Sequence, residues 1–100
     1  MKIAAVQGDP NKGAARFFIK LPAGFSAPLH HHTSDHYVVV IAGTMVFNVD
    51  GKDNTLPAGS YFSFTGKKQH TTKCNDGAEC VLYADAHGKW DVVPEKAPKK

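Results

Sequence analysis

A chain of 100 residues has room for one hydrophobic core and not two, so a single domain is expected. Its 42% hydrophobic and 21% charged residues are ordinary for a globular chain, and no apolar run approaches the roughly 20 residues a membrane helix needs. The net charge of +3 is mild and no basic stripe is interleaved with aromatics, so neither nucleic acid nor a membrane is expected as a partner.

The opening MKIAAVQGDP meets Gln7, Gly8, Asp9 and Pro10 before any apolar core long enough for a signal peptide, so the chain is read as cytosolic or as a processed form. Strand signals then recur at short intervals: Lys2 to Gln7, Arg16 to Leu21, Tyr37 to Ile41, Thr44 to Val49, Tyr61 to Phe64 and Cys80 to Ala84. Between them lie GDPNKG, LPAG, AG, VDGKDN, LPAGS, FTGKK, CNDGA and AHG, rich in the residues that supply turn dihedrals. This rhythm predicts an all-β sandwich or barrel with almost no helix, since the longest apolar run, YVVVIA, is largely β-branched. The folded domain is expected over 1–93. Residues 94–100, PEKAPKK, read as a flexible basic C-terminal tail.

Cys74 and Cys80 flank NDGAE, where Asp76-Gly77 is a hairpin signal that would place both thiols on neighbouring strands. They are read either as a disulfide or as two half-buried thiols in a reducing compartment.

Four of the six histidines lie within seven residues, in LHHHTSDHYVVV. On an extended strand His30 and His32 leave from one face and His31 from the other. His36 shares the inward face with Val38 and Val40, so it returns to the same interior. Of the two remaining histidines, His70 begins a new extended segment and His87 sits beside Gly88 in a turn, which makes His70 the better fourth ligand. Neutral imidazoles converging inside a barrel suit a borderline transition metal: Fe, Cu, Ni, Mn or Zn. Glu79 and Glu95, the only glutamates, are placed in the late hairpin and the tail, too far along to supply a carboxylate ligand.

Here the spacing resembles the cupin family. Its first motif is met by Gly24, His30, His32, His36 and Gly43, with His36 where the family commonly has glutamate. Its second motif is degenerate: from Gly59, the spacing puts Thr65 at the proline position, Lys67 at the glycine, His70 at the histidine and Cys74 at the asparagine. The resemblance implies a single-domain cupin-type β-barrel, the double-stranded β-helix or jelly roll, with a metal held by His30, His32, His36 and His70. GDPNKG, PAGSYF, the paired cysteines and KWDVVP are also similar to small bacterial cupins of unassigned activity. That likeness implies export, which favours a Cys74–Cys80 bridge. The expected location is periplasmic or secreted if the cysteines are bridged, and cytoplasmic otherwise.

Strand parity makes Phe18, Val38, Val40, Met45, Phe47, Phe62 and Phe64 the inward candidates for a substrate pocket, an apolar lining suited to a small hydrophobic or aromatic ligand held by an anionic oxygen. Tyr61, Gln69 and Tyr83 could add hydrogen bonds, and Trp90 is read as an anchor for the C-terminal strand. The expected function is a metal-dependent oxygenase acting on a small aromatic or diketone-like molecule, since His36 removes the carboxylate that general-base chemistry would use. The alternatives are a non-catalytic metal or small-ligand binding module and a structural barrel that meets a partner. A homodimer formed by pairing of exposed strand edges is expected.

Overall fold

The computed structural model describes residues 1–94, and ten strands lie among them: β1 (Lys2–Gln7), β2 (Ala15–Leu21), β3 (Ser26–His31), β4 (His36–Ala42), β5 (Thr44–Val49), β6 (Lys52–Pro57), β7 (Tyr61–Phe64), β8 (His70–Cys74), β9 (Cys80–Ala86) and β10 (Val93–Pro94). No helix occurs among the described residues. Two five-stranded sheets result, in the orders β1-β2-β9-β4-β7 and β10-β3-β8-β5-β6, and every pairing is antiparallel. This is the all-β sandwich that the turn rhythm predicts, in the jelly-roll arrangement that the cupin resemblance implies. Pro94 closes β10, one residue beyond the expected domain end, and the rest of the expected tail lies outside the described residues.

The sheets face each other because three strands alternate cleanly. β2 buries Ala15, Phe17, Ile19 and Leu21, β4 buries His36, Val38 and Val40, and β9 buries Cys80, Leu82, Ala84 and Ala86. Met45 and Phe47 of β5 and Phe64 of β7 complete the core from their own inward positions. Burying each large side chain of this set contributes about 1.5–3 kcal/mol.

Phe18 departs from expectation. It is 41% exposed and packs on Tyr83 across the outer face, while Phe17 is fully buried. The Phe-Phe pair alone does not set the parity. Its neighbours do, because Ala15, Ile19 and Leu21 share a face with Phe17, whereas Arg16 and Lys20 share one with Phe18.

Two further differences come from turns. VDGKDN, read as one loop, is a two-residue turn at Asp50 and Gly51 (φ 56° and 77°), and Lys52 already begins β6 opposite Val49. The segment between the cysteines does not join neighbouring strands. β8 belongs to one sheet and β9 to the other, so the Cys74–Cys80 disulfide, with Cα atoms 6.0 Å apart, ties the two sheets together.

Gly24 and Gly43, which bracket the histidine segment, both adopt φ of 80°. At Gly43 a Cβ would lie 2.8 Å from the Cys80 sulfur and 2.5 Å from the Glu79 carbonyl oxygen, so both conformation and space require glycine there.

Candidate metal centre

Register does the first part of the assembly. His30 of β3 lies directly opposite His70 of β8, with ring centroids 4.4 Å apart. His32, just past the end of β3, keeps the inward parity of His30 and brings its ring to 5.1 Å from His30 and 5.0 Å from His70. One ring nitrogen from each of these three buried histidines lies within 4.8 Å of the other two. They could hold a metal ion.

The hydrogen bonds decide which nitrogens are available. Nδ1 of His30 donates to the Pro28 carbonyl at 2.6 Å, Nδ1 of His70 to the Lys68 carbonyl at 2.9 Å, and Nδ1 of His32 to the Asp91 carbonyl at 2.5 Å. A carbonyl only accepts, so each Nδ1 carries the proton and each Nε2 of the neutral ring presents a lone pair. The Nε2 atoms of His32 and His70 face each other at 3.2 Å. Two lone pairs at that distance repel unless a cation lies between them, so the donor set fits a metal ion, with second partners already orienting each ring.

His36 is also fully buried, beside His32 at a ring distance of 4.7 Å, but it is not among the three histidines whose nitrogens converge. Neither of its ring nitrogens has a hydrogen-bond partner among the described residues. The Asp35 carbonyl is near enough to favour a proton there but does not meet hydrogen-bond geometry. A buried imidazole with nothing to bond costs on the order of 1–3 kcal/mol, so this ring too is poised for a missing partner.

Burial keeps His32, His36 and His70 uncharged. Desolvation lowers the His32 pKa, takes His36 down to about 4 and takes His70 down to about 3, and mutual repulsion among the imidazoles adds to the effect. At neutral pH these rings are therefore unprotonated at the nitrogen a metal would use. Aromatic packing fixes their planes: Phe64 stacks on His70 at 4.1 Å, and Trp90 stacks on His32 at 4.8 Å.

An apolar cavity of about 240 Å³ opens onto His30 and His32. Val38, Met45 and Phe64 line it, and among the described residues Thr72 is the one polar wall residue apart from the histidines and the Trp90 indole. Phe47 packs behind the site against His70 and Phe64, and half-buried Phe62 packs against both phenylalanines, so these two are core and not cavity wall. Tyr61 is 60% exposed and Tyr83 faces outward with Phe18, while Gln69 is exposed, so none of the three reaches the cavity.

Trp90 corrects the reading of it as an anchor alone. It does contact Phe17 at 5.2 Å, but it also lines the cavity and touches His32 and His36. Asp91 was not singled out in the sequence. Desolvation opposes its ionisation, yet hydrogen bonds from the Thr33 hydroxyl and the Thr33 N–H hold its carboxyl below the usual range. Nothing local in the sequence couples residue 91 to residue 32, although a lone tryptophan followed by an acid just before the last strand was a visible signal.

Comparisons agree with this architecture. The cupin domain family model matches residues 17–84. DNA damage-repair/toleration protein DRT102 of Arabidopsis thaliana is 34% identical over 94 residues, which is 92% of this chain and 28% of that protein. The chain thus spans little more than a quarter of that relative's length. Among solved structures, the polyketide cyclase RemF from Streptomyces resistomycificus superposes with a TM-score of 0.76 at 16% identity, over 97% of this chain and 72% of that one. The DMSP lyase DddQ from Ruegeria pomeroyi gives a TM-score of 0.76 at 19% identity, over 92% of this chain and 50% of that one. At these identities the superpositions speak to the fold alone. With two facing antiparallel sheets, the Gly24-to-Gly43 histidine segment and a family match over most of its length, the chain belongs to the cupin family.

Proposed function

We propose that this cupin binds a divalent transition metal through His30, His32 and His70, with His36 as a fourth imidazole beside them, and acts as an oxygenase-like enzyme on a small apolar molecule. The observation that carries the reading is the apolar cavity that opens onto two of the three convergent histidines. A bound Fe, Cu, Ni or Mn ion would supply Lewis acidity and redox chemistry at that point. The chain's own residues do the rest. Three backbone carbonyls hold the ring nitrogens in one tautomer, Val38, Met45, Phe64 and Trp90 exclude water, and Thr72 offers a hydroxyl to a bound ligand. About 240 Å³ is below the usual 300–1,000 Å³ of ligand sites, which suits a ligand of about one ring with an anionic oxygen turned to the histidines.

Among the described residues no carboxylate lines this cavity, so none of them is placed to abstract a proton there. The same fact favours a second reading, a non-catalytic module that binds metal or a small ligand. The two separate on oxygen consumption by the iron-, copper-, nickel- and manganese-reconstituted protein with small phenols, catechols and β-diketones. Turnover with any of them, lost in His70→Ala, supports the enzyme. Stoichiometric metal without oxygen uptake supports the module. The disulfide favours an oxidising compartment, periplasmic or extracellular.

A further inference from the structure

Two of the three convergent histidines are held by their own neighbourhood. His30 and His70 each donate to the carbonyl two residues earlier, Pro28 and Lys68, so the local strand geometry sets their rings. His32 is different. Its Nδ1 partner is the carbonyl of Asp91, 59 residues away, in the stretch between β9 and β10.

That stretch is fastened at both residues nearest the site. The Trp90 N–H donates to the Pro10 carbonyl at 2.8 Å, and its indole lies stacked on His32 with its edge toward Phe17. The Asp91 carboxylate accepts from the Thr33 N–H at 2.9 Å and from the Thr33 hydroxyl. Thr33 follows His32 directly, so the aspartate grips the backbone beside the histidine with its side chain while its own carbonyl grips the ring. One residue thus restrains His32 at two points.

We propose that Asp91 is a positioning residue for the metal centre: together with Trp90 it forms a strap that fixes the tautomer and direction of His32, and so completes a three-histidine site that β3 and β8 only two-thirds build. This rests on the metal-binding reading above. Partners that orient a ligating histidine typically account for 10–100-fold in metal affinity.

The test uses the full chain and cobalt(II) as probe, with affinity read from the visible absorption of the bound ion. A second readout, the ¹⁵N shifts of the His32 ring in metal-free protein, reports which nitrogen is protonated. Asp91→Ala should weaken cobalt binding 10–100-fold and shift His32 from the Nδ1–H form to a tautomer mixture, with His30 and His70 unchanged. Asp91→Asn, which keeps an acceptor for Thr33, should recover most of both signals. If Asp91→Ala does not fold, Thr33→Val loosens the same clamp from the other side and is read in the same way. Unchanged affinity and an unchanged His32 tautomer in the folded variants would overturn the proposal. Wild-type protein that binds no cobalt but shows the Nδ1–H tautomer of His32, lost in Asp91→Ala, would refute the metal reading while upholding the strap.

Discussion

The indole of Trp90 stacks on the imidazole of His32, centroid to centroid 4.8 Å with the planes 27° apart. Because this is the only tryptophan in the chain, all of its emission comes from a side chain in contact with the histidine cluster. Copper(II), nickel(II) or cobalt(II) bound at that cluster should quench most of the fluorescence at one equivalent, while zinc, which is redox-silent, should leave most of it. His70→Ala should abolish the quenching, since it removes a convergent nitrogen without touching the tryptophan. Equal quenching in that variant would place the metal elsewhere.

The depressed histidines make stability depend on pH in a defined direction. His36 and His70 titrate at about 4 and about 3 when folded but near 6.5 when unfolded, so between those values the unfolded chain holds more protons. Metal-free protein should therefore keep full stability above pH 6.5 and lose it progressively as the pH falls toward 4 and below. Denaturant midpoints at pH 7.5, 5.5 and 4.5 measure this. His70→Gln, folded, should show a shallower slope; a midpoint that is flat or rises on acidification would contradict the assignment.

Cys74 and Cys80 close a short loop, and Cys74 is followed by the turn whose Asp76 carboxylate approaches Gly24. For a loop of this length the chain-entropy estimate is about 2 kcal/mol. Reduction, or the double change to alanine, should lower the thermal midpoint by several degrees. Since the three rings are held by the carbonyls of Pro28, Lys68 and Asp91 and not by the bridge, metal affinity should change far less than stability. A parallel loss of both would show that the bridge also shapes the site.

The outer face of the first sheet presents a cross-strand row, Ala4, Phe18, Tyr83, Val39 and Tyr61, that runs over all five strands. Phe18 and Tyr61 are 41% and 60% exposed, and every residue of the edge strand β1 is exposed. A homodimer is the expected outcome, because a second copy would cover both the row and the unpaired edge. Light scattering should give twice the 10.8 kDa chain mass, and Phe18→Ser with Tyr61→Ser should return the monomer. A monomer at high concentration in the unsubstituted protein would rule this out.

HYVVVIA and TMVFNV were legible as strands because apolar, largely β-branched runs lie between turn signals, and the spacing from Gly24 to Gly43 was enough to indicate the family. The β6 strand was hidden because KDNTLP is polar on both faces and follows a turn signal, so composition read it as loop. His30 and His32 were legible because parity fixes direction on a strand, and His70 because it opens an extended segment while His87 sits in a turn. The strap was not legible: the Asp91 carbonyl is backbone, carries no residue-type signal, and meets His32 only after the whole sandwich has closed. Phe18 was misplaced because the Phe-Phe pair fits either face, and only Arg16 and Lys20 on its own face mark it as outward.

The central claim is that the convergent Nε2 atoms are a metal site. Elemental analysis of protein purified without an affinity metal, alongside His30→Ala and His70→Ala prepared identically, tests it most directly. The account predicts close to one transition-metal ion per wild-type chain and a loss of most of it in each folded variant. No metal above background in the wild type after reconstitution, or equal metal in all three proteins, would contradict it.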